Sequence, residues 1–441
     1  MNSPHRAQPA PAYSPRTERH RSKERGRLRL RDASAMAIGG MIGGGIFSVL
    51  GVTIELAGHL AFLCFVLAGA VAGVTAHSYA SLARRSRRSG GPDRYLREQG
   101  HPELATIASW LLVLGYVLAL AVYAFTFGHY LESLTGGGAL AARIAAAALL
   151  GMFLAINVRG VAASSLTEDA IVATKLVVLA VISIVGLSSW SGTRLEPLSN
   201  VGVSGVFVGA GLIFVAYEGF ELLSYDYDDI DDADRTLPRA LYLSVAAVAA
   251  VYVVVTLGAQ MLVDDRLIVA QREAAFAAVG AAALGETGRL MAVGGAVLAT
   301  ASAVNATLFS TSRLVRDIAE AGELPAVVGR TRGGLPVTAI VLLAAFGTVF
   351  AMLPTISALL SFGSVTFLAV FALINHLHAR TADDASGRVL GHVGTAACVA
   401  AIAAVAVHLT QDDPASLMTI TALVAVVLGL RQVHRRRGHR T

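Results

Sequence analysis

Apolar runs long enough to cross a bilayer as helices, about 20 residues each, recur along this chain, and that recurrence leaves few folds open. We read twelve of them, at residues 33–54, 59–83, 104–134, 139–158, 167–189, 203–224, 239–263, 288–310, 336–354, 356–377, 391–409 and 415–430. In hydrocarbon every backbone N–H and C=O must find its partner inside the protein, so uniformly apolar runs of this length form helices. Composition agrees, since only 15% of residues are charged, against roughly 25% in a soluble domain. The predicted fold is an all-α polytopic membrane protein with twelve transmembrane helices.

Lys and Arg give the orientation. With the N-terminus inside, 29 of the 35 fall in inner segments and 5 in outer ones, and Lys175 lies within a run. That bias predicts a multi-pass protein of the cell membrane with both termini cytoplasmic. Residues 1–32 carry no apolar leader and read as a disordered basic cytoplasmic tail. Residues 431–441 read as a second basic tail. The net charge of +5 therefore points to topology and lipid headgroups, and no nucleic-acid partner is expected.

The first run breaks the uniformity. Gly39-Gly40-Met41-Ile42-Gly43-Gly44-Gly45 places five glycines in seven residues, and each costs about 1 kcal/mol against Ala inside a helix. Two readings fit: the glycines let a neighbouring helix approach closely, or they mark a broken helix whose freed backbone groups hold a ligand. The sixth run repeats the oddity with Gly205, Gly209, Gly211 and Gly219, followed by Glu218 and Glu221 as an ionisable pair. Runs 1 and 6 stand at equivalent places in two five-span units, 33–190 and 201–377, that cross the membrane in opposite directions. Broken helices at matching places of an inverted repeat point to a transporter site. Residues 391–430 then form two extra helices outside the repeat.

Among the ionisable residues of the apolar runs, Lys175, Glu218 and Glu221 call for a role. Lys175 is one of two lysines among 33 arginines. Nine residues from a start near Leu166 put it about 13 Å deep, near the midplane. A lysine can release its proton there and an arginine cannot, so Lys175 is a candidate coupling residue. The structural alternative pairs it with Glu168 or Asp169. Glu218, at the presumed break, would hold a substrate amine, relay a proton or bond freed backbone. Glu221 reads as a gate or a helix-end anchor. The run Asp226–Asp234 does not fit a calcium loop and reads as a solvated turn. Cys64 and Cys398 lie in apolar runs, so no disulfide-linked partner subunit is expected. No nucleotide loop, hydrolase elbow or metal-binding helix motif appears, so no enzyme, cofactor or metal site is expected.

These stretches resemble the amino acid–polyamine–organocation superfamily of permeases. Gly43-Gly44-Gly45-Ile46-Phe47 is similar to its first-helix G-[SAG]-G-[IV]-F motif, and Phe214-Val215-Ala216-Tyr217-Glu218-Gly219-Phe220-Glu221 to its sixth-helix motif. Arg235-Thr236-Leu237-Pro238-Arg239-Ala240 and the stretch Asn305 to Pro325 resemble segments that follow. The resemblance implies ten core helices in two inverted repeats and transport by alternating access. It implies a substrate carboxylate on the N–H groups of Gly44 and Gly45, and an α-amine on carbonyls near Met41, Val215 and Glu218. Gly43, Ala216 and Tyr217 complete the implied binding set, with Phe214 and Glu221 as gates. Lys175 matches a lysine that stands near the first-helix carbonyls of sodium-independent members, here near Gly39. The expected function is sodium-independent secondary transport of amino acids, coupled to protons through Lys175 or to counter-substrate, by a monomer or homodimer. The alternatives are a polyamine or organic-cation transporter using Glu218 and, more distantly, a non-transporting membrane sensor.

Overall fold

A computed structural model describes residues 28–160, 165–195 and 203–414, with Leu417, Met418, Thr421 and Gly429. Among the described residues it contains fourteen α-helices. The first two are α1 (Leu30–Met41) and α2 (Gly45–Ala57), which divide the first apolar run between them. They are followed by α3 (Ala61–Ser86), the short α4 (Pro92–Glu98), α5 (Pro102–Thr135), α6 (Gly138–Val158) and α7 (Ser165–Ser188). The sixth run is α8 (Val203–Leu212) and two 3-10 segments, Phe214–Tyr217 and Phe220–Asp229. Then come α9 (Ala233–Leu262), the short α10 (Asp265–Ala270), α11 (Ala275–Glu320), α12 (Val337–Ala351), α13 (Ile356–Thr381) and α14 (Ala385–Asp412).

Helices lie at the first eleven expected runs, and the twelfth falls mostly outside the described residues. By length and apolarity, eight helical stretches among the described residues can cross a bilayer, with a ninth formed by the sixth run, bent by 54°. The number is below twelve because the twelfth run lies mostly outside the described residues, and for two physical reasons. The 3-10 turn Gly58–Leu60 joins α2 and α3 into one stretch, and α12 has only 15 residues. Helix α11, at the eighth run, is longer than that run. It spans 46 residues and is interrupted at Leu284 and Gly285, where Gly285 takes φ +62°.

Two helices form the centre. The apolar stretches of α5 and α13 are 67% and 72% buried, whereas those of α6 and α14 are 22% buried and face outward. Helix α5 packs against α11, α13, α6 and α12, and α9 packs against α3, α7 and α1. Glycine permits some of these approaches. A Cβ on Gly186 of α7 would stand 2.1 Å from the Gly258 carbonyl oxygen of α9, and one on Gly258 would stand 2.9 Å from Ser183 Cα.

The aspartate run is solvated as expected, with all of its six aspartates except Asp226 exposed. Residues 226–229 continue the 3-10 segment. Asp228 Oδ2 accepts from the Ser89 N–H at 3.3 Å, and Tyr227 Oη donates to Asp234 Oδ1 at 2.6 Å. Leu28 and Ile230 form a parallel bridge, through Leu28 N–H to the Asp229 carbonyl and Asp231 N–H to the Leu28 carbonyl, both 2.9 Å.

Gly186→Val should push α7 and α9 apart and cost about 1–3 kcal/mol of stability, as overpacked contacts do. A lowered thermal unfolding midpoint of the purified protein checks this. An unchanged midpoint would mean that the Gly186–Gly258 approach is not tight.

Candidate binding site at the two helix breaks

The first break is narrower than its glycine content suggests. Gly39 and Gly40 remain within α1, and only Ile42, Gly43 and Gly44 separate α1 from α2. None of these glycines has a positive φ, so glycine is not needed here for conformation. It is needed for space. A Cβ on Gly43 would meet Ala303 Cβ at 2.8 Å, one on Gly44 would meet Tyr123 Cδ1 at 2.4 Å, and one on Gly45 would meet Tyr252 Oη at 2.5 Å. The two sequence readings of the glycines therefore coincide at one place, where neighbours crowd a broken helix.

The sixth-run break is conformational. Glu218 turns extended at φ −62° and ψ 145°, and Gly219 takes φ +116°, which side chains with a Cβ rarely adopt. A Cβ on Gly219 would stand 3.3 Å from Gly40 C and Met41 N. The two breaks thus lie against each other, backbone to backbone.

Freed backbone groups find side-chain partners. Ser364 Oγ of α13 donates to the Leu212 carbonyl at 2.7 Å and accepts from the Val215 N–H at 2.9 Å, which splints the sixth-run break. Tyr252 Oη of α9 lies 2.7 Å from the Met41 carbonyl and 2.9 Å from the Ala216 carbonyl and donates to both in turn, which links the two breaks. Its ring packs on Phe65 and Tyr217, with centroids 5.4 Å away in each case. Tyr217 Oη donates to the Phe65 carbonyl at 2.7 Å. At the start of α2, helix geometry leaves the N–H groups of Gly44, Gly45, Ile46 and Phe47 without intrahelical acceptors.

The ionisable residues converge on the same place. Lys175 Nζ donates to the Gly39 carbonyl at 3.0 Å, and the residue is 1% exposed. Its alternative partners, Glu168 and Asp169, lie outside the residues whose side chains are described. Glu218 is 3% exposed, and Tyr123 Oη donates to its Oε2 at 3.0 Å. Glu221 accepts from Tyr116 Oη at 3.0 Å through Oε1 and from the Gly219 N–H at 2.9 Å through Oε2. It therefore anchors the backbone of the break. Phe214 packs edge-on against Phe371 with centroids 5.8 Å apart.

The structure brings together Gly39, Met41, Gly43, Gly44, Gly45, Val215, Ala216, Tyr217, Glu218 and Lys175. Sequence reading missed Tyr123, Tyr252, Ser364 and Tyr116. Each is an ordinary polar residue in an apolar run, and only that polarity set it apart. Polar clusters tie helix ends together at the two ends of α11. At one end, Glu323 is 3% exposed and is held by Arg97 and the Thr106 hydroxyl, while Trp110 Nε1 donates to its carbonyl at 2.9 Å. Nearby, burial raises the Asp93 carboxyl above the ordinary aspartate range. At the other end, Arg272 pairs with Glu55 at 2.7 Å and donates to Ser357 Oγ at 2.6 Å, and its backbone covers Gly51.

Tyr252→Phe keeps the ring contacts and removes the one hydroxyl that serves both breaks. It should cost about 1–3 kcal/mol, the usual penalty for buried polar groups left without a partner. Thermal unfolding in detergent measures it, and a stability equal to wild type would show that the bridge is dispensable.

Comparison with known proteins bears on the family and the fold. The chain is 30% identical over 367 residues to an uncharacterized protein of Methanocaldococcus jannaschii, covering 82% of this chain and 84% of that one. It is 26% identical to the inner membrane transport protein YbaT of Escherichia coli, covering 79% and 82%. It is 28% identical to the methylthioribose transporter of Bacillus subtilis, covering 51% and 53%. Among solved structures, MhsT in complex with L-phenylalanine superposes with a TM-score of 0.62 at 14% identity, over 86% of this chain and all of that one. The Eremococcus coleocola manganese transporter superposes with a TM-score of 0.60 at 13% identity, over 93% and 95%. These two likenesses establish the fold. The amino acid permease family model matches residues 28–429. A helical membrane protein with two broken helices meeting at its centre, matched over nearly its whole length by that model, belongs to the amino acid permease family of transporters.

Proposed function

We propose that the protein carries amino acids across the cell membrane by alternating access, without sodium, in two inverted five-helix units with both termini cytoplasmic. The observation that carries this reading is the position of Lys175. Its ammonium meets the Gly39 carbonyl at 3.0 Å, one turn before the first break. A fixed positive charge at the carbonyl end of α1 does there what a bound cation would do. It complements the negative end of the helix dipole and holds α1 against α7.

The substrate carboxylate binds at the start of α2, where the N–H groups of Gly44 and Gly45 and the helix dipole favour an anion. The α-ammonium binds the carbonyls of Met41 and Ala216. Each has two lone pairs, and the Tyr252 hydroxyl has one proton to share between them. Acceptor capacity therefore remains for a ligand. Glu221 and Phe214 hold the sixth-run break on its other side. When Lys175 is charged, it fixes α1 to α7. When it is neutral, that hold weakens and α1 is free to swing. The proton thereby selects between the two access states.

Uptake into sodium-free proteoliposomes, with and without an inward proton gradient, tests this. The wild type should take up amino acids and be stimulated by the gradient. Lys175→Ala should lose the stimulation and become insensitive to pH across about pH 5 to 8, a range over which a buried lysine can titrate. Identical pH profiles for Lys175→Ala and wild type would remove Lys175 from coupling. Uptake only into vesicles preloaded with amino acid would make the protein an exchanger.

A further inference from the structure

Amino acid transport leaves the substrate's side chain open, and Tyr123 narrows it. Tyr123 comes from the middle of α5 and touches both recognition elements of the break. Its ring edge takes the space of a Cβ on Gly44, with Cδ1 at 2.4 Å, so the ring covers the N–H end of α2. Its hydroxyl donates to Glu218 Oε2 at 3.0 Å. One side chain therefore blocks the anion end and holds a carboxylate at the same time.

The two acids of the break are not equivalent. Glu221 already has two donors, Tyr116 Oη and the Gly219 N–H. Glu218 has the Tyr123 hydroxyl and, among the described residues, no paired cation. A buried carboxylate is costly unless a positive group faces it, and ionisable residues inside a membrane tend to face substrate. The α-ammonium has its own acceptors at Met41 and Ala216 in the reading above. Glu218 is left for a second positive group.

We propose that Glu218 and Tyr123 form a cation subsite, and that the substrate is an amino acid whose side chain ends in an ammonium or guanidinium group. This inference rests on the transport reading given above. The side-chain cation replaces the Tyr123 hydroxyl on Glu218. The released ring leaves Gly44, and the substrate carboxylate docks on the uncovered N–H groups. The two halves are coupled through Tyr123. A carboxylate without a cation leaves the ring anchored, and a diamine leaves the N–H end unfilled.

Binding to the purified full-length protein tests this with L-lysine, L-norleucine and cadaverine, which carry both groups, the carboxylate alone with the α-amine, and two amines without a carboxylate. The wild type should bind lysine at least about tenfold more tightly than either of the others, as sites built for a charged group do. Glu218→Gln should erase the preference of lysine over norleucine. Should that variant fail to fold, Tyr123→Phe provides the second measurement. It keeps the ring and removes its anchor, so norleucine should bind more tightly and approach lysine. Norleucine binding as well as or better than lysine in the wild type overturns the cation subsite and leaves the amino acid reading standing. Cadaverine binding as well as lysine overturns the carboxylate site and leaves Glu218 in place. Binding of none of the three overturns both.

Discussion

Two helices of this protein stop and restart inside an apolar interior, and every freed N–H and C=O must be satisfied without water. The rest of the centre follows from that requirement. Ser364 joins the two sides of the sixth-run break, Tyr252 serves a carbonyl on each break, Lys175 takes the Gly39 carbonyl, and Glu221 takes the Gly219 N–H. These donors and acceptors come from α13, α9, α7 and the break itself. The surrounding helices are held in register by the polar groups they must deliver as well as by apolar packing.

The first and sixth runs reach the same outcome by different physics. At Gly43, Gly44 and Gly45 the backbone stays near ordinary dihedrals, and glycine supplies room for Ala303, Tyr123 and Tyr252. At Gly219 the backbone itself requires glycine, with φ +116°. Substitution by alanine therefore fails for steric reasons at the first site and for both steric and torsional reasons at the second. This asymmetry lets the first break keep most of its helical character while the second bends by 54°.

Much of this was legible in the sequence. Apolar length placed eleven helices, because hydrocarbon allows the backbone almost no other solution. The glycine cluster, Glu218 and Lys175 marked the site, because each is costly in a membrane unless it is used. What stayed hidden was pairing between distant elements. Tyr123, Tyr252 and Ser364 are single polar residues in apolar helices, and nothing local says which carbonyl or carboxylate each will meet. The interruption at Leu284–Gly285 lies just before the eighth run, where one glycine is a weak signal. The aspartate run is exposed as its composition indicated; what composition did not show is that its backbone is committed to a 3-10 segment and to Leu28.

That last contact has a consequence for how the family can diverge. The bridge between Leu28 and Ile230 is made by main-chain atoms alone, through the Asp229 and Leu28 carbonyls and the Leu28 and Asp231 N–H groups. It ties the stem of α1 to the far end of the sixth-run segment, the two elements whose breaks meet at the centre. A tether built from backbone is indifferent to which side chains sit along it. The lever that joins the two broken helices can therefore survive sequence drift that erases every recognisable residue around it, and relatives that share few identities can inherit the same linkage.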